Sequence, residues 1–156
     1  MPEITEGMKA PAFKLPASIG GEIALGDFEG KSHVVLYFYP RDLTPGCTTE
    51  ACSFRDLKGE FEAAGAVILG VSADSLKSHD KFTARHELNF PLLADDGAEV
   101  CKLYGVYREK SLYGKIGLGI VRTTFVIDRA GIVRKVYPKV SVKDHADEVL
   151  EVVKGL

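Results

Sequence analysis

One stretch decides the fold: residues 34–52 read VVLYFYPRDLTPGCTTEAC. Its first six residues are apolar or aromatic and carry no charge, which is typical of a strand buried on both faces. Pro40 ends that strand, because proline cannot donate to a sheet ladder. Pro45-Gly46 makes a second turn, and residues 48–64 are compatible with a helix. Cys47 is therefore predicted to lie in the first turn of a helix that leaves the end of a central strand, where open α/β sheets place their ligand sites.

Cys47 is the first candidate for a reactive residue. A thiol in the first turn of a helix meets unpaired backbone N–H groups and the positive end of the helix dipole, and both favour its thiolate form. Thr44, three residues upstream, can direct a hydroxyl at the same site, and Glu50, one turn along the helix, can hold an arginine that approaches it. The alternative is an inert, buried thiol, which is the commonest state of a free cysteine. The presence of Thr44, the Pro45-Gly46 turn and Cys52 favours the reactive interpretation.

Cys52 adds a geometric test. Two residues five apart on an α-helix differ by about 7.5 Å in rise and about 140° in rotation, which places their Cα atoms roughly 8–9 Å apart. A disulfide spans no more than about 7 Å between Cα atoms. If Cys47 and Cys52 pair, at least the first helical turn must therefore unwind. The alternative interpretation of Cys52 is a small core residue on one face of the helix.

The rest of the chain alternates between strand and helix patterns. Gly65 closes the helix and residues 66–72 form a second apolar run, so strand, helix and strand make a parallel, right-handed βαβ unit. A glycine-rich segment, residues 105–121, is predicted to be a mobile surface loop. The remaining predicted elements are an N-terminal hairpin (12–15 and 22–25), helices at 75–87, 96–104 and 143–154, and strands at 91–94, 123–127 and 132–137.

Four further side chains could carry chemistry but are assigned structural roles. His79 and His86 share one side of the helix at 75–87 and could be metal ligands, yet histidines in this setting are more often surface residues beside a small apolar stripe. His145 lies among charged residues and is expected to be exposed. Cys101 has apolar neighbours in the sequence and is expected to be a small core residue, with a redox role as the alternative.

Length and composition limit the classes of function. A chain of 156 residues with a 46% apolar share is long enough for one domain, residues 1–156, that buries a core. A net charge of −2 and a pI near 6.1 give no electrostatic footprint for nucleic acid or an acidic membrane surface. Residues 1–13 contain no apolar block, so no secretory signal is expected there, and no apolar run approaches the ~20 residues of a membrane span. Three cysteines are too few and too oddly numbered for a structural disulfide framework, which favours a reducing compartment, most simply the cytoplasm.

Two motifs resemble those of a known family. Pro40-x-x-x-Thr44-x-x-Cys47 resembles the active-site motif of the peroxiredoxins. Its extension over residues 45–56, PGCTTEACSFRD, resembles the Q subfamily, the bacterioferritin comigratory proteins. The similarity covers the whole chain. Downstream, the matching residues are Tyr113-Gly114-Lys115, Gly119-Ile120 and Arg122-Thr123-Thr124-Phe125-Val126-Ile127-Asp128.

The resemblance implies a thioredoxin-like α/β sandwich, with a mixed central sheet flanked by helices and an N-terminal β-hairpin. It implies a thiol-dependent peroxidase in which the thiolate of Cys47 attacks hydrogen peroxide or an organic hydroperoxide and becomes a sulfenic acid. The family pattern places the active-site guanidinium on Arg122, which would stabilise the leaving oxygen together with Thr44. Pro40 would shape the pocket and shield the sulfenic acid, and Glu50 would support the arginine.

The resemblance also implies how the enzyme is recycled. Cys52 would condense with the sulfenic acid of Cys47 to form an intramolecular disulfide, which thioredoxin or a similar dithiol then reduces. Some Q-type members place this second cysteine in the helix that corresponds to residues 75–87, where this chain has none. The expected protein is an atypical two-cysteine peroxiredoxin, a monomer like many Q-type members, with no metal, haem, flavin or nicotinamide of its own.

Three other functions compete with the peroxidase. A thiol–disulfide oxidoreductase on the same fold ordinarily carries C-x-x-C, whereas four residues separate Cys47 from Cys52. A metal-binding or metal-delivery module would favour C-x-x-x-C and a histidine in the late loop, and residues 105–121 contain no histidine. A chaperone or a purely structural protein would not require a reactive cysteine.

Overall fold

The computed structural model describes residues 4–112 and 114–156. Tyr113 of the downstream motif lies outside the described residues, as do residues 1–3. The α-helices are α1 (Pro45–Ala63), α2 (Leu76–His86), α3 (Glu99–Leu103) and α4 (His145–Lys154). The strands are β1 (Lys14–Pro16), β2 (Glu22–Ala24), β3 (His33–Phe38), β4 (Ala66–Ser72), β5 (Leu92–Ala94), β6 (Tyr107–Leu112), β7 (Lys115–Ile120), β8 (Thr123–Ile127) and β9 (Val133–Tyr137). None of the described helices is long and apolar enough to cross a membrane.

Five strands form the central sheet in the order β5-β4-β3-β8-β9. β3 runs parallel to β4 and antiparallel to β8, so the sheet is mixed. The parallel β3–α1–β4 unit is the one predicted from two uninterrupted apolar runs joined by a helix. β1 and β2 pair antiparallel as a separate N-terminal hairpin. The predicted α/β architecture, with its mixed sheet and its hairpin, is confirmed.

Side chains of β3 alternate between two cores, one on each face of the sheet. One core joins Val35 and Tyr37 of β3 to Phe54 of α1, Phe82 of α2 and Val149 of α4. The other joins Val34 and Leu36 of β3 to Cys101 of α3 and to Leu15 and Ile23 of the hairpin. All six residues of β3 are buried. Burial on both faces explains why residues 34–38 of this strand are an uninterrupted apolar run instead of an alternation of apolar and polar residues.

α1 begins at Pro45, three residues before the predicted start at residue 48. Proline is favoured at the first helical position, because its missing N–H needs no partner there and its φ angle is already helical. Gly65 follows the helix with a φ of 81°, the left-handed conformation that commonly ends a helix. Cys47 therefore lies in the first turn of the helix, as the sequence predicted.

The prediction of a surface loop at residues 105–121 was wrong. β6 and β7 pair antiparallel from Tyr107–Ile120 through Leu112–Lys115 and form a hairpin. The residues of β6 are mostly polar and two glycines interrupt the apolar residues of β7, so neither strand shows a clear alternation. Backbone hydrogen bonds between the two strands do not depend on such a pattern, and the hairpin forms without one.

Candidate active site

The site lies at the end of the sheet where β3 stops and β8 starts. Phe38, the last residue of β3, pairs with Thr123, the first residue of β8. Arg122 precedes Thr123 and therefore stands beside the loop that leads from β3 to α1. In this way the topology brings Arg122 to Cys47, although the two are 75 residues apart in the sequence.

The N-terminus of α1 carries Cys47. Thr44 is the N-cap residue with extended backbone, and its side chain makes no capping hydrogen bond. Pro45 occupies the first helical position, and the N–H groups of the following residues point out of this end of the helix. Phe54, two turns further along, stacks on Tyr37 of β3 with ring centroids 4.8 Å apart. This contact holds the helix against the sheet, and Cys47 is only 2% exposed.

Arg122 connects two residues of α1 through its two arms. Its Nη1 donates to Oε1 of Glu50 over 2.6 Å, and its Nη2 donates to Sγ of Cys47 over 3.3 Å. The guanidinium is planar with its donors in a fixed fork, so the carboxylate also determines where the second arm points. A Cβ atom on Gly46 would lie 3.1 Å from Nη2, so the glycine leaves room for this approach. The arrangement places a cationic hydrogen-bond donor in contact with the sulfur of Cys47.

Glu50 is buried and only half paired. It is 1% exposed, and its Oε2 has no hydrogen-bond partner among the described residues. Burial raises the pKa of Glu50 to about 7, although the guanidinium of Arg122 favours the ionised form. Burial lowers the pKa of Arg122, but the charges of Glu50 and Cys47 outweigh burial and raise it, so the arginine stays charged. The site therefore contains a carboxyl group that changes its charge near neutral pH.

Thr44 and Pro40 belong to the loop between β3 and α1, and both are half-buried. The hydroxyl of Thr44 donates to the carbonyl oxygen of Arg41 over 2.9 Å, so its proton is used within the loop and its oxygen can still accept. Leu43 has a φ of 63°, a left-handed conformation that costs a non-glycine residue about 1 kcal/mol or more. The loop thus makes a sharp, strained turn immediately before the helix.

All three cysteines lie within the described residues and are free. Cys52 is half-buried on α1, which is wound without interruption from Pro45 to Ala63. Cys101 is fully buried in the core on the opposite face of the sheet from Cys47. Burial raises the pKa of the Cys101 thiol, and the neighbouring Asp95 raises it further. Cys101 is a core residue, as expected.

The expectation that His79 is a surface residue was wrong, because its side chain is fully buried. Its Nδ1 lies 2.6 Å from Oδ2 of Asp42, and its Nε2 lies 2.9 Å from the carbonyl oxygen of Leu93. Burial lowers the pKa of His79, but the hydrogen bond and the charge of Asp42 outweigh burial and raise it. The helical pattern could not reveal a partner 37 residues away. The one available signal was an acidic residue, Asp42, inside the active-site motif. His86 is half-buried and packs edge-to-face on Phe82.

The expectation that His145 is exposed was also wrong. Its ring is buried edge-to-face against Tyr137 and Phe54, with centroids 4.9 and 6.1 Å apart, and its Nε2 lies 2.8 Å from the hydroxyl oxygen of Thr124. Burial, assisted by the charge of Arg122, lowers the pKa of His145 to about 4. The prediction failed because the charged neighbours in the sequence occupy the exposed face of α4. The ring is neutral at physiological pH.

Among the residues that the structure describes, one group of side chains has the spacing that a metal site would use. Asp42, Asp74 and His79 place ligand-type atoms within 4.8 Å of one another. These atoms are already hydrogen-bonded: Nδ1 of His79 lies against Asp42, and the hydroxyl of Ser72 donates to Asp74 over 2.7 Å. The group contains no cysteine. It therefore gives no support to a metal-delivery module built on the reactive thiols.

Comparison with known proteins assigns the chain to a family. Residues 7–136 match the AhpC/TSA family. The chain is 49% identical over 147 residues to a putative peroxiredoxin, bcp, of Coxiella burnetii, which covers 94% of this chain and 97% of that protein. It is 47% identical over 150 residues to the peroxiredoxin Bcp of Bacillus subtilis, with 96% and 95% covered. A cysteine-to-serine mutant of PrxQ from Xylella fastidiosa superposes with a TM-score of 0.92 at 38% identity, over 99% of this chain and 98% of that one. The bacterioferritin comigratory protein of Xanthomonas campestris, solved as a trapped intermediate/ligand complex to study its alkyl peroxide reduction activity, superposes with a TM-score of 0.86 at 45% identity, over 92% and 90%.

Proposed function

The chain belongs to the AhpC/TSA family and is a peroxiredoxin, and from this premise we propose that its Cys47 reduces hydrogen peroxide and organic hydroperoxides. The observation that carries the proposal is the contact between Nη2 of Arg122 and the sulfur of Cys47, while the other arm is held by Glu50. This arrangement puts a fixed positive charge where a thiolate attacks and an oxyanion leaves. The alkyl peroxide reduction activity of the Xanthomonas campestris relative supports organic hydroperoxides as substrates.

In the first step, the thiolate of Cys47 attacks one oxygen of the O–O bond. An S–O bond forms, the O–O bond breaks with its electron pair on the leaving oxygen, and the leaving alkoxide or hydroxide takes up a proton. The products are a sulfenic acid on Cys47 and an alcohol or water. Arg122 and the N–H groups at the start of α1 stabilise the charge on the leaving oxygen, as preorganised donors do.

Thr44 and Pro40 take different parts in this step. Because Thr44 already donates its proton to the carbonyl of Arg41, we assign its oxygen as the acceptor for the hydroxyl proton of the incoming peroxide. This assignment differs from the donor role that the family resemblance implied. Pro40 has no acid–base chemistry, and its part is to shape the pocket and shield the sulfenic acid from further oxidation.

In the second step, the thiol of Cys52 attacks the sulfenic sulfur of Cys47. An S–S bond forms and the hydroxyl group leaves as water with the thiol proton. Both cysteines lie on one wound helix, where their Cα atoms are too far apart for a disulfide, so the first turn of α1 must unwind. Cys101 is a poor alternative, because it is fully buried in the other core.

The rest of the cycle is proposed on chemical grounds. An external dithiol must return the disulfide to two thiols, and we propose thioredoxin for this step. Three free cysteines fit a reducing compartment, most simply the cytoplasm. The cycle uses two thiols of the same chain, so a monomer can complete it. It requires no metal, haem, flavin or nicotinamide in the protein.

Peroxide consumption coupled to thioredoxin, thioredoxin reductase and NADPH tests the proposal. Cys47→Ser is expected to abolish consumption. Cys52→Ser is expected to form the sulfenic acid once and then to lose turnover by thioredoxin. Cys101→Ala is the matched control, a substitution of the cysteine in the other core, and is expected to turn over normally.

The outcomes separate the parts of the proposal. Normal turnover by Cys52→Ser together with failure of Cys101→Ala would move the resolving role to Cys101. Consumption with dithiothreitol but not with thioredoxin would contradict only the proposed reductant. No consumption by the wild type with either dithiol would contradict the function itself.

A further inference from the structure

We propose, on the basis of the role given above to Cys47, that His79 is a positioning residue for the peroxide reaction: its imidazolium fixes Asp42, and through Asp42 the loop that places Cys47 at the start of α1. His79 lies in α2, a helix to which the proposed cycle gives no other part. The effect is indirect, because the pair acts on the backbone that precedes α1.

Asp42 is held by four hydrogen bonds. Its Oδ1 accepts from the hydroxyl of Tyr39 over 2.6 Å, and its Oδ2 accepts from the hydroxyl of Ser78 over 2.8 Å and faces Nδ1 of His79 at 2.6 Å. Its backbone N–H donates to Oδ2 of Asp74 over 2.8 Å. Asp42 is 6% exposed, so these partners replace its water shell. The residue cannot shift without breaking several of these bonds at once.

The two ring nitrogens of His79 both face acceptors. Nε2 faces the carbonyl oxygen of Leu93, which only accepts, and Nδ1 faces the carboxylate of Asp42. The oxygens of that carboxylate already accept from two hydroxyl groups, so Asp42 meets the ring as an acceptor. Only an imidazolium donates from both nitrogens. The other polar groups that face the ring from neighbouring elements are the hydroxyl of Tyr39 at 3.5 Å and the carboxylate of Asp74.

Two residues connect Asp42 to α1. Leu43 has a φ of 63°, and Thr44 is the N-cap, whose carbonyl accepts from the N–H of Thr48 over 2.9 Å. The left-handed conformation is disfavoured for a leucine and persists only while the residues on both sides are fixed. Release of Asp42 therefore lets Leu43 relax and moves the start of the helix. Cys47 is the third residue of that helix, so its sulfur moves relative to Arg122.

The test measures the second-order rate constant for oxidation of Cys47 in a Cys52→Ser background, where the sulfenic acid accumulates and is quantified by mass spectrometry after rapid quenching. His79→Gln and Asp42→Asn are each expected to lower this rate constant by about tenfold to hundredfold, because a small displacement of a reacting group costs that much. The double variant is expected to lose no more than the worse single variant, since the pair acts as one unit. His86→Gln is the matched control, the same substitution on the same helix, and is expected to leave the rate constant unchanged.

Two further readouts separate positioning from a loss of stability. Nitrogen-15 NMR of the wild type is expected to show His79 protonated on both nitrogens at pH 7 and His145 neutral. The rate advantage of the parent over His79→Gln is expected to shrink as pH rises through the pKa of His79, because the imidazolium is lost there. All rates are taken well below the midpoint of thermal unfolding of every variant.

Equal rate constants for His79→Gln and His86→Gln would overturn the proposal, whatever the two substitutions do to the melting temperature. A neutral ring at His79 at pH 7 would overturn it as well. If neither His79→Gln nor Asp42→Asn folds, Ser78→Ala removes a single hydrogen bond to Asp42 and is expected to lower the rate constant about twofold to fivefold. No change in that variant then counts against the proposal. Failure of the Cys52→Ser parent to form any sulfenic acid would instead contradict the proposed function, which distinguishes the two failures.

Discussion

Two buried polar clusters flank the turn between β3 and α1: the Asp42 cluster (Asp42, Ser78 and His79) and the Cys47 cluster (Cys47, Glu50 and Arg122). In the Asp42 cluster, each carboxylate oxygen and each imidazole nitrogen has a partner. In the Cys47 cluster, Oε2 of Glu50 has none among the described residues, and neither has the hydroxyl of Tyr37 on the adjacent strand. Both clusters are buried and charged, yet only one of them is complete.

The difference suits the two clusters to different tasks: the Asp42 cluster can hold a segment in place, whereas the Cys47 cluster can react. A fully paired buried cluster rigidifies the segment that it holds, because every change breaks a hydrogen bond in a medium of low dielectric constant. An incompletely paired cluster has groups that can bind an incoming molecule or change their charge. Four predictions follow. They test whether the peroxide rate constant depends on the Cys47 cluster, and whether the charge of a buried side chain depends on the groups that face it.

The largest effect on the peroxide rate constant is expected from Arg122, whose Nη2 donates to the sulfur of Cys47. Arg122→Gln should lower the second-order rate constant with peroxide by about 10²- to 10³-fold, the range for loss of one preorganised donor. Arg122→Lys should be intermediate, because it keeps the charge but loses the fork that reaches Glu50 and Cys47 together. Competition with a haem peroxidase for hydrogen peroxide measures both. Arg108→Gln, at an exposed arginine that donates to the carbonyl of Pro138, is the control. Equal rate constants for Arg122→Gln and Arg108→Gln would remove Arg122 from the mechanism.

Glu50→Gln should change how stability depends on pH. Burial raises the pKa of Glu50 from 4.5 to about 7 in the folded state, so its contribution to the free energy of unfolding is full below pH 4.5 and is lost as pH rises toward 7. Between pH 4.5 and 8, the free energy of unfolding of the wild type relative to Glu50→Gln should fall by about 3 kcal/mol, since a pKa difference of one corresponds to about 1.4 kcal/mol. Urea unfolding at a series of pH values measures this, with the exposed Glu60→Gln as the control on the same helix. A difference that stays constant with pH would contradict the prediction.

His145→Gln should give a smaller effect with the opposite dependence. Burial lowers the pKa of His145 from 6.5 to about 4, so its contribution to stability is full above pH 6.5 and is lost as pH falls toward 4. Between pH 7 and 5, the free energy of unfolding of the wild type relative to His145→Gln should fall by about 2 kcal/mol. His79, whose pKa is raised, should show the reverse, with stability lost as pH rises above 6.5. The same sign for His79→Gln and His145→Gln in urea unfolding would contradict the difference expected between a buried histidine that faces a carboxylate and one that faces a hydroxyl group and two aromatic rings.

The smallest effect is expected at Gly46. A Cβ atom there would lie 3.1 Å from Nη2 of Arg122, so Gly46→Ala should displace the guanidinium slightly and lower the peroxide rate constant by about twofold to fivefold. Gly59 lies on the same helix with open space around its would-be Cβ atom, so Gly59→Ala is the matched control. Both substitutions should leave stability unchanged or raise it by about 0.5–1 kcal/mol, because alanine is the better helix former. Equal peroxide rate constants for the two variants would show that Arg122 tolerates the added methyl group.

The elements around β3 could be predicted because their signals are local. The apolar run of β3, Pro45 at the start of α1 and Gly65 after its end each act through their own backbone preferences, and no distant partner is needed to interpret them. The hairpin of β6 and β7 could not be predicted in this way, since its stability lies in pairing between two strands that each look irregular. The spacing of Pro40, Thr44 and Cys47 drew attention to the site through a family motif, but it contained no distances.

The polar interior was beyond the sequence for a different reason. Whether a histidine is exposed, buried and charged, or buried and neutral depends on what the fold places against it. Asp42 lies against His79, whereas Thr124 and two aromatic rings lie against His145. Neither helical pattern contains these partners. Both histidines were therefore assigned to the surface, and the structure shows that His79 is buried against Asp42 and that His145 is buried in the core against Thr124.

The continuous winding of α1 across Cys47 and Cys52 would influence the reduction potential of the disulfide proposed between them. A Cys47–Cys52 disulfide exists only in a chain that has given up the first turn of the helix, so reduction restores that turn and the packing that goes with it. Each 1.4 kcal/mol regained in this way makes the couple about 30 mV more oxidising. Oxidation by peroxide would then unwind the first turn of the helix. Its rewinding would favour reduction of the disulfide by the dithiol.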